Sequence, residues 1–192
     1  MNSVEAPADR DEYIAFCDYH ANKPGNAAIW VRPYYQHFKP APNSRILDIG
    51  AYCGANLFYY GSQGHTVVGI EIAKRFVDIF EAEREKRAVT FNDRIQMVHG
   101  LAEEYEPDEP FDYCICGEVL EYVPSPAALA TAAFNALRPG GEFFAACLRV
   151  KSAVHPRVLQ ADDMAALLEA AEFEQVHTQV DNHVTLVRGT KP

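Results

Sequence analysis

Short apolar segments alternate with longer amphipathic ones along the chain. Most of the short segments are apolar at successive positions, which is typical of strands covered by helices on both faces. Strands that alternate with helices predict an α/β fold with a largely parallel sheet. The predicted strands are Arg45–Gly50, Thr66–Glu71, Ile95–His99, Phe111–Cys116 and Gly141–Leu148.

Helical periodicity fills the intervals between these strands. Phe76, Val77 and Phe80 form one apolar stripe in a segment that is otherwise rich in charge. A second helix begins at Ser125-Pro126, because Ser is a favoured N-cap and Pro a favoured first helical residue. The predicted helices are Asp11–Ala21, Asn26–Phe38, Ala73–Arg87, Ser125–Leu137 and Asp162–Ala171.

The C-terminal part of the chain has a different pattern. Two strand-like segments, Phe173–Val180 and His183–Arg188, follow each other with the turn Asp181-Asn182 between them, which predicts an antiparallel hairpin. We therefore expect a doubly wound, mostly parallel seven-stranded sheet that ends in this hairpin. We expect residues 1–40 to form a helical cap on a domain of residues 41–192, within one structural unit.

The composition fits one globular domain. The chain has 192 residues, of which 48% are hydrophobic and 23% charged, and this is enough to build a buried core. It contains no apolar run of 18 residues, so no membrane span is expected. The first residues lack the basic and apolar stretches of a secretory signal.

The five cysteines indicate a reducing compartment. Their number is odd, and three of them lie in strand-like segments, which favours reduced, buried thiols over a disulfide framework. Cys114 and Cys116 lack a second Cys or His pair at metal-ligand spacing, so we expect no metal site. The predicted location is the cytoplasm.

The charge of the chain disfavours polyanionic partners. The formal net charge is −10, and proteins that bind nucleic acid usually present a basic face to the phosphates. A local basic site remains open around Arg149, Lys151 and Arg157. We expect a small-molecule partner, no nucleic acid and no membrane, and the oligomeric state stays open.

A glycine-containing loop follows the first predicted strand. It reads Asp48-Ile49-Gly50-Ala51-Tyr52-Cys53-Gly54, and such a turn between strand and helix lets backbone N–H groups approach a ligand closely. Tyr52 breaks the Gly-x-Gly-x-x-Gly spacing of dinucleotide-binding folds, and Asp48 would repel a pyrophosphate. An acidic residue here suits a ligand with a cationic amino group or sulfonium. Glu71 ends the second strand, where a carboxylate can accept hydrogen bonds from both ribose hydroxyls.

Four landmarks occur together in order. They are Ile46-Leu47-Asp48-Ile49-Gly50-x-x-x-Gly54, Val68-Gly69-Ile70-Glu71-Ile72, Phe111–Cys116 with its tail Gly117–Val123, and Leu137-Arg138-Pro139-Gly140-Gly141. In this order and spacing they resemble the class I S-adenosylmethionine-dependent methyltransferases. The resemblance covers about Arg45–Leu148. It implies a Rossmann-like fold, and S-adenosylmethionine as cofactor with S-adenosylhomocysteine as product.

The resemblance also implies a cofactor role for individual residues. The methionine end lies on the glycine loop with Asp48 at its amino group, the ribose lies on Glu71, and adenine lies on Ile72. Leu101 and Ala102 contact adenine through their backbone atoms. The implied cofactor-binding residues are Asp48, Gly50, Ala51, Tyr52, Gly54, Glu71, Ile72, Leu101, Ala102 and Glu118.

Three residues depart from the family pattern. Tyr52 replaces a small residue, so either the loop has a different conformation or Tyr52 covers the cofactor or substrate. Leu101 replaces an Asp that contacts the adenine amino group. Tyr122 replaces a common His, which removes one candidate base.

The acceptor is expected to be a small molecule with an oxygen or nitrogen nucleophile, such as a sugar, lipid or secondary-metabolite intermediate. The fourth strand leads into Cys116-Gly117-Glu118-Val119 and lacks the Asn/Asp-Pro-Pro-aromatic motif of methyltransferases that act on adenine or glutamine amides. A hydroxyl acceptor would need a base. Candidate bases, in order, are His155, Glu118 and His20, and candidate acceptor-binding residues are Tyr19, Tyr52, Tyr122 and Arg149.

Two other functions fit parts of the sequence. A non-catalytic methyltransferase-like module, which binds the cofactor or acts through protein contacts, agrees with the unusual Tyr52 and Leu101. A nicotinamide-dependent oxidoreductase agrees with a glycine loop in an α/β fold but not with Tyr52 or the Glu118–Val123 tail.

Overall fold

The computed structural model describes residues 7–23, 29, 31–87, 90–150 and 157–192. Within them, seven strands form one sheet in the order β3-β2-β1-β4-β5-β7-β6. The strands are β1 Arg45–Ile49, β2 Thr66–Glu71, β3 Ile95–His99, β4 Phe111–Gly117, β5 Leu137–Leu148, β6 Glu174–Asp181 and β7 Val184–Thr190.

The first five strands are parallel, and β7 runs antiparallel to both β5 and β6. The predicted α/β, Rossmann-like, doubly wound sheet with an antiparallel C-terminal hairpin is therefore confirmed. The chain starts in the middle of the sheet at β1, moves outward to β3, and returns to β4 on the other side of β1. This reversal leaves a crevice at the carboxyl ends of β1 and β4, where ligands bind in such folds.

Five α-helices and three short 3-10 helices lie in the described residues. The helices are α1 Arg10–Ala21, α2 Ala55–Ser62, α3 Lys74–Arg87, α4 Pro126–Ala136 and α5 Ala161–Ala170, and the 3-10 helices are Pro33–His37, Asn92–Arg94 and Ala102–Glu104. Helix α4 begins as predicted, since the Ser125 hydroxyl accepts a hydrogen bond from the Ala128 N–H at 3.2 Å. None of these helices is long and apolar enough to cross a membrane.

The predicted helix Asn26–Phe38 is wrong in its described part. Arg32 is extended and only Pro33–His37 is helical, as a 3-10 turn. A residue that precedes proline is biased away from the α region, so Arg32 cannot lead into a regular helix. Tyr34 and Tyr35 follow directly and are buried against the sheet.

The boundary between α4 and β5 also differs from the prediction. The helix ends at Ala136, and Leu137 already pairs with Phe111 of β4, so that β5 begins four residues before the predicted Gly141. The register between the two strands shifts between the pairs Phe111–Leu137 and Tyr113–Glu142, and the additional residues of β5 include Pro139 and Gly140. Because Leu137 is fully buried, packing places it in the sheet rather than in the helix.

The core lies on both faces of the sheet, as the two-sided apolar strands require. Alternate residues of β1 point to opposite faces. Leu47 and Ile49 belong to a cluster beneath α4 and α5, whereas Ile46 belongs to a cluster that includes Phe58 of α2. Strand β1 is thereby packed on both faces, and its carboxyl end lies at the crevice.

Candidate functional site

A cavity of about 670 Å³ opens at the carboxyl ends of β1, β2 and β4. This volume lies within the range of pockets that enclose a small ligand or cofactor. Its walls come from the loop after β1, the ends of β2 and β4, the segment after β3, and the N-terminal α1 with the stretch that follows it. The cavity therefore occupies the topological switch point of the sheet.

The loop after β1 packs closely on the neighbouring strands. The N–H groups of Gly50 and Ala51 both donate to the carbonyl of Ile70, at 2.9 and 3.0 Å. Gly50 has a φ of +71°, and a Cβ at this position would lie 2.2 Å from the Val119 side chain. The backbone thus turns sharply beside the tail of β4, and only glycine fits there.

Of the two alternatives that the sequence left open for Tyr52, the structure does not have the first, a different conformation of the loop. The φ of Tyr52 is +53°, so the loop keeps the left-handed conformation despite the large side chain. Its ring packs on Phe76 of α3, with the ring centroids 4.1 Å apart, and both residues line the cavity. The aromatic contact offsets part of the backbone strain and forms one wall of the cavity.

Glu71 lies at the tip of β2 and organises the loop. Its side chain accepts hydrogen bonds from the N–H groups of Tyr52, at 2.9 Å, and Ala73, at 2.8 Å. Burial raises the pKa of this carboxyl to about 7 although the backbone donors oppose the shift. Each carboxylate oxygen has a second lone pair, so Glu71 retains acceptor capacity toward a ligand in the cavity.

Asp48 lies one layer below the cavity. It is 1% exposed and does not line the wall. The side-chain amide of Asn56, at the start of α2, donates to Asp48 at 3.1 Å, and Asn56 does line the wall. Burial raises the pKa of Asp48 to about 7. The carboxylate therefore reaches the cavity through Asn56, which sequence reasoning missed although it stands in the first turn after the loop.

Three aliphatic side chains from the segments after β2 and β3 form one part of the wall. Ile72, Leu101 and Ala102 line the cavity beside Glu71. The Gly100 N–H donates to the Glu71 carbonyl at 3.0 Å, so the segment after β3 is tied to the end of β2. A flat ring that lies next to Glu71 is therefore bounded by aliphatic side chains.

Glu118, at the tip of β4, forms a polar cluster with residues of the N-terminal stretch. The Arg32 Nε lies 3.1 Å from Oε1 and its Nη2 lies 3.2 Å from Oε2, while the Tyr34 hydroxyl donates to Oε1 at 3.2 Å. Glu118 has a φ of +60°, a conformation that clusters at functional sites. Sequence reasoning missed Arg32 and Tyr34 because they lie far from the landmarks along the chain.

Helix α1 covers the remaining side of the cavity. Phe16 and His20 line it, together with Tyr122 from the tail of β4. The Phe16 ring centroid lies 4.3 Å from that of His20 and 5.5 Å from that of Tyr122. These contacts form an aromatic wall with one imidazole in it.

Besides Asp48, three of the predicted site residues lie away from the wall in the structure, and another is outside the described residues. Tyr19 is 65% exposed on the outer face of α1, under the Lys23 amine. The Arg149 N–H donates to the His183 carbonyl beyond the end of β5. Gly54 is the N-cap of α2, with a φ of +77°, and packs on Phe80 below the loop. His155 lies outside the described residues.

The cysteines take no visible part in this site apart from Cys17, which lines the cavity from α1. All five are free thiols, and burial raises the pKa of each of them. Among the described residues no group of three or more His, Cys, Asp or Glu side chains is placed to hold a metal ion.

Comparison with known proteins identifies the family to which the chain belongs. A family model described as a methyltransferase domain matches residues 47–145. The ubiquinone biosynthesis O-methyltransferase of Xylella fastidiosa (strain 9a5c) is 31% identical over 170 residues, which cover 84% of this chain and 68% of that protein. The chain belongs to this methyltransferase family. The prediction of a class I S-adenosylmethionine-dependent methyltransferase is thereby confirmed.

The chain matches only part of the length of these relatives. This methyltransferase spans between 50% and 68% of the length of the ubiquinone biosynthesis O-methyltransferases that it resembles. The one from Xanthomonas campestris pv. campestris (strain B100) is 35% identical over 150 residues, which cover 76% of this chain and 61% of that protein.

Solved structures share the fold of this methyltransferase. The glycopeptide N-methyltransferase MtfA complexed with S-adenosylmethionine superposes with a TM-score of 0.69 at 14% identity, over 89% of this chain and 99% of that one. The [4+2]-cyclase SpnF superposes with a TM-score of 0.75 at 14% identity, over 100% and 98% of the two chains. At this identity the likeness shows the fold alone.

Proposed function

We propose that this methyltransferase moves the methyl group of S-adenosylmethionine to a hydroxyl oxygen of a small molecule. The observation that supports this most is one cavity that joins Glu71 and the glycine loop, on one side, to Glu118 and His20 on the other. Two ligands that react with each other need such a shared, partly enclosed space. The O-methyltransferase relatives favour oxygen as the methyl acceptor.

The cofactor half of the cavity has the donors and acceptors that S-adenosylmethionine needs. Glu71 would hold the ribose hydroxyls, and Ile72 and Leu101 would enclose the adenine ring. The side-chain oxygen of Asn56, whose amide nitrogen donates to Asp48, would accept a hydrogen bond from the amino group of the methionine end. The loop Gly50–Tyr52 would pack against that end. The cofactor supplies an electrophilic methyl group on a sulfonium centre.

The other half of the cavity would hold the acceptor. Phe16 and Tyr122 provide an aromatic wall, and Tyr52 closes the loop side. His20 stands in this wall and would take the proton of the acceptor hydroxyl. Glu118 is engaged by Arg32 and Tyr34, both of which donate to it, so we assign it an orienting role rather than that of a base.

The charge and the free thiols of the protein support a proposal for its partners and location. A net charge of −10 opposes binding to nucleic acid or to anionic membrane surfaces. The free cysteines fit a reducing compartment. We therefore place the protein in the cytoplasm with a small-molecule acceptor.

Transfer of isotope-labelled methyl groups tests the proposal. The purified protein is incubated with methyl-labelled S-adenosylmethionine and a panel of phenols, aliphatic alcohols and amines, with the Glu71→Ala variant as the control. We expect label on the oxygen of at least one panel member with the native protein, and loss of most of that signal in the variant. If only amines are labelled, the proposal that a hydroxyl oxygen accepts the methyl group is contradicted.

The same experiment distinguishes methyl transfer from a second candidate function, cofactor binding without methylation. The cyclase with the same fold shows that this architecture is not restricted to methyl transfer. If the native protein binds S-adenosylmethionine but methylates no panel member, a non-methylating, cofactor-binding module becomes the better account.

A further inference from the structure

The hydroxyls of two neighbouring tyrosines meet at the tip of β4. A Cβ at Gly117 would lie 2.5 Å from the Tyr34 hydroxyl oxygen and 2.7 Å from the Tyr35 hydroxyl oxygen. Glycine therefore leaves the space that these hydroxyls occupy, and Gly117 and both tyrosines line the cavity. The Tyr34 hydroxyl donates to Glu118 at 3.2 Å, so its proton is already committed within the protein.

The Tyr35 hydroxyl, in contrast, forms no hydrogen bond with any described residue. The residue is only 6% exposed, and its ring is held in the core beside Phe144, with the ring centroids 6.1 Å apart. A buried hydroxyl without a partner is costly, and most such groups in folded proteins are paired. A hydroxyl in this state on the wall of a cavity favours a ligand that pairs with it.

Tyr35 is a hydrogen-bond donor rather than an anion. Burial raises the pKa of its hydroxyl well above the usual value of 10, and the nearby Asp48 carboxylate adds to the shift. The hydroxyl therefore keeps its proton at neutral pH. The complementary group of a ligand is an oxygen acceptor, and a negatively charged oxygen accepts the stronger hydrogen bond.

The Tyr35 hydroxyl borders both halves of the cavity. Asp48, which backs the proposed cofactor half, is near it on β1. Gly117 is near it on β4, and Glu118 of the other half follows directly. The methyl acceptor must present its oxygen where the two ligands meet. As His20 takes the proton of the acceptor hydroxyl, that oxygen becomes negative, and a preorganised donor stabilises the charge.

We infer that the Tyr35 hydroxyl donates a hydrogen bond to the reacting oxygen of the methyl acceptor. This inference rests on the proposed function. It gives the two tyrosines different tasks, since Tyr34 orients Glu118 whereas Tyr35 binds the acceptor. The cofactor also carries an oxygen acceptor, the carboxylate of its methionine end, and the experiment separates the two.

Calorimetric titration of two acceptor ligands tests this contact. They are the hydroxyl compound of the labelling panel that the native protein methylates fastest, and its analogue with hydrogen in place of the hydroxyl. Each is added to protein saturated with S-adenosylhomocysteine. We expect the native protein to prefer the hydroxyl compound by about tenfold or more. Tyr35→Phe keeps the ring beside Phe144 and should lower this preference at least about threefold, with unchanged affinity for S-adenosylhomocysteine.

Tyr60→Phe is the matched control, because the Tyr60 hydroxyl is also buried without a described partner but does not line the cavity. Its preference should equal that of the native protein. An unchanged preference in Tyr35→Phe, or an equal loss in Tyr60→Phe, overturns the inference and leaves the proposed function intact. An equal loss of S-adenosylhomocysteine affinity in Tyr35→Phe does the same, since the hydroxyl then binds the cofactor. If the native protein methylates no hydroxyl compound, both fail.

Discussion

The carboxylate of Glu71 accepts a hydrogen bond from the backbone N–H of Tyr52 at 2.9 Å. This bond joins the tip of β2 to the centre of the loop after β1. The residue proposed to hold the ribose is therefore the same residue that holds the loop in its left-handed turn. On the proposed role of Glu71, cofactor binding and loop conformation would be coupled through this one side chain.

Replacement of Glu71 by Gln tests this coupling. The new amide can accept from only one of the two N–H groups that Glu71 serves and presents its own donor to the other. We expect affinity for S-adenosylhomocysteine to fall by about 1–3 kcal/mol, measured by calorimetry. Glu85→Gln on the exposed side of α3 should leave it unchanged. Equal affinities of the native protein and Glu71→Gln for S-adenosylhomocysteine would contradict the proposed role of Glu71 in binding the ribose.

Asp48 makes stability depend on pH in a defined direction. Burial raises its pKa from 3.8 to about 7, so the folded state disfavours the ionised form. The stability that this group contributes is present below about pH 4 and is lost as pH rises through 7. Glu71, whose pKa is also raised to about 7, adds a slope of the same sign.

The Asp48→Asn variant has no carboxyl to ionise, so it avoids the free-energy cost of a buried charge. It keeps a side-chain oxygen that accepts from the Asn56 amide. We expect the ligand-free variant to exceed the native protein in free energy of unfolding by about 1–3 kcal/mol at pH 8, and the difference to shrink toward zero near pH 4. Urea unfolding at both pH values measures it. A difference that does not change with pH contradicts the assigned ionisation.

Gly54 and Gly100 form a matched pair of glycine sites. A Cβ at Gly54 would lie 2.3 Å from the Phe80 ring at a φ of +77°, whereas nothing lies within 4 Å of one at Gly100. Gly54→Ala should therefore lower the free energy of unfolding by about 2–4 kcal/mol. Gly100→Ala should change it by less than about 0.5 kcal/mol. Similar values for the two variants would show that the loop packs differently.

Tyr52 and Phe76 should be energetically coupled. Their ring centroids are 4.1 Å apart, and such aromatic pairs contribute about 0.5–1.5 kcal/mol beyond the area they bury. A double-mutant cycle with Tyr52→Ala and Phe76→Ala, measured by urea unfolding, should give an interaction energy in this range. A value near zero would mean that Tyr52 does not rest on α3 in solution.

Most strands of the sheet could be predicted, because the sequence patterns that mark a strand lie within the strand itself and the residues next to it. Strands β2 and β3 have the predicted bounds, since apolar runs ended by charged or turn residues mark strand length directly. The start of β5 was not predictable, because Leu137 leaves the helical pattern only through its pairing with Phe111. That contact joins residues far apart along the chain.

The end of the cavity around Glu71 was easier to predict than the end around Glu118. Gly50 and Glu71 stand at strand ends, which topology brings to one edge of the sheet. Arg32 and Tyr34 reach Glu118 because Tyr34 and Tyr35 pack beside Gly117 at the end of β4, and no pattern in the sequence predicts this contact. Asp48 was predicted to position the amino group of the cofactor, and in the structure Asn56 stands between it and the cavity.

Calorimetric titration of the native protein with S-adenosylhomocysteine and, separately, with NAD⁺ tests the central claim most directly. The Glu71-centred cavity predicts saturable one-to-one binding of S-adenosylhomocysteine well below millimolar concentration and no measurable binding of NAD⁺. Binding of NAD⁺ without binding of S-adenosylhomocysteine would contradict the account.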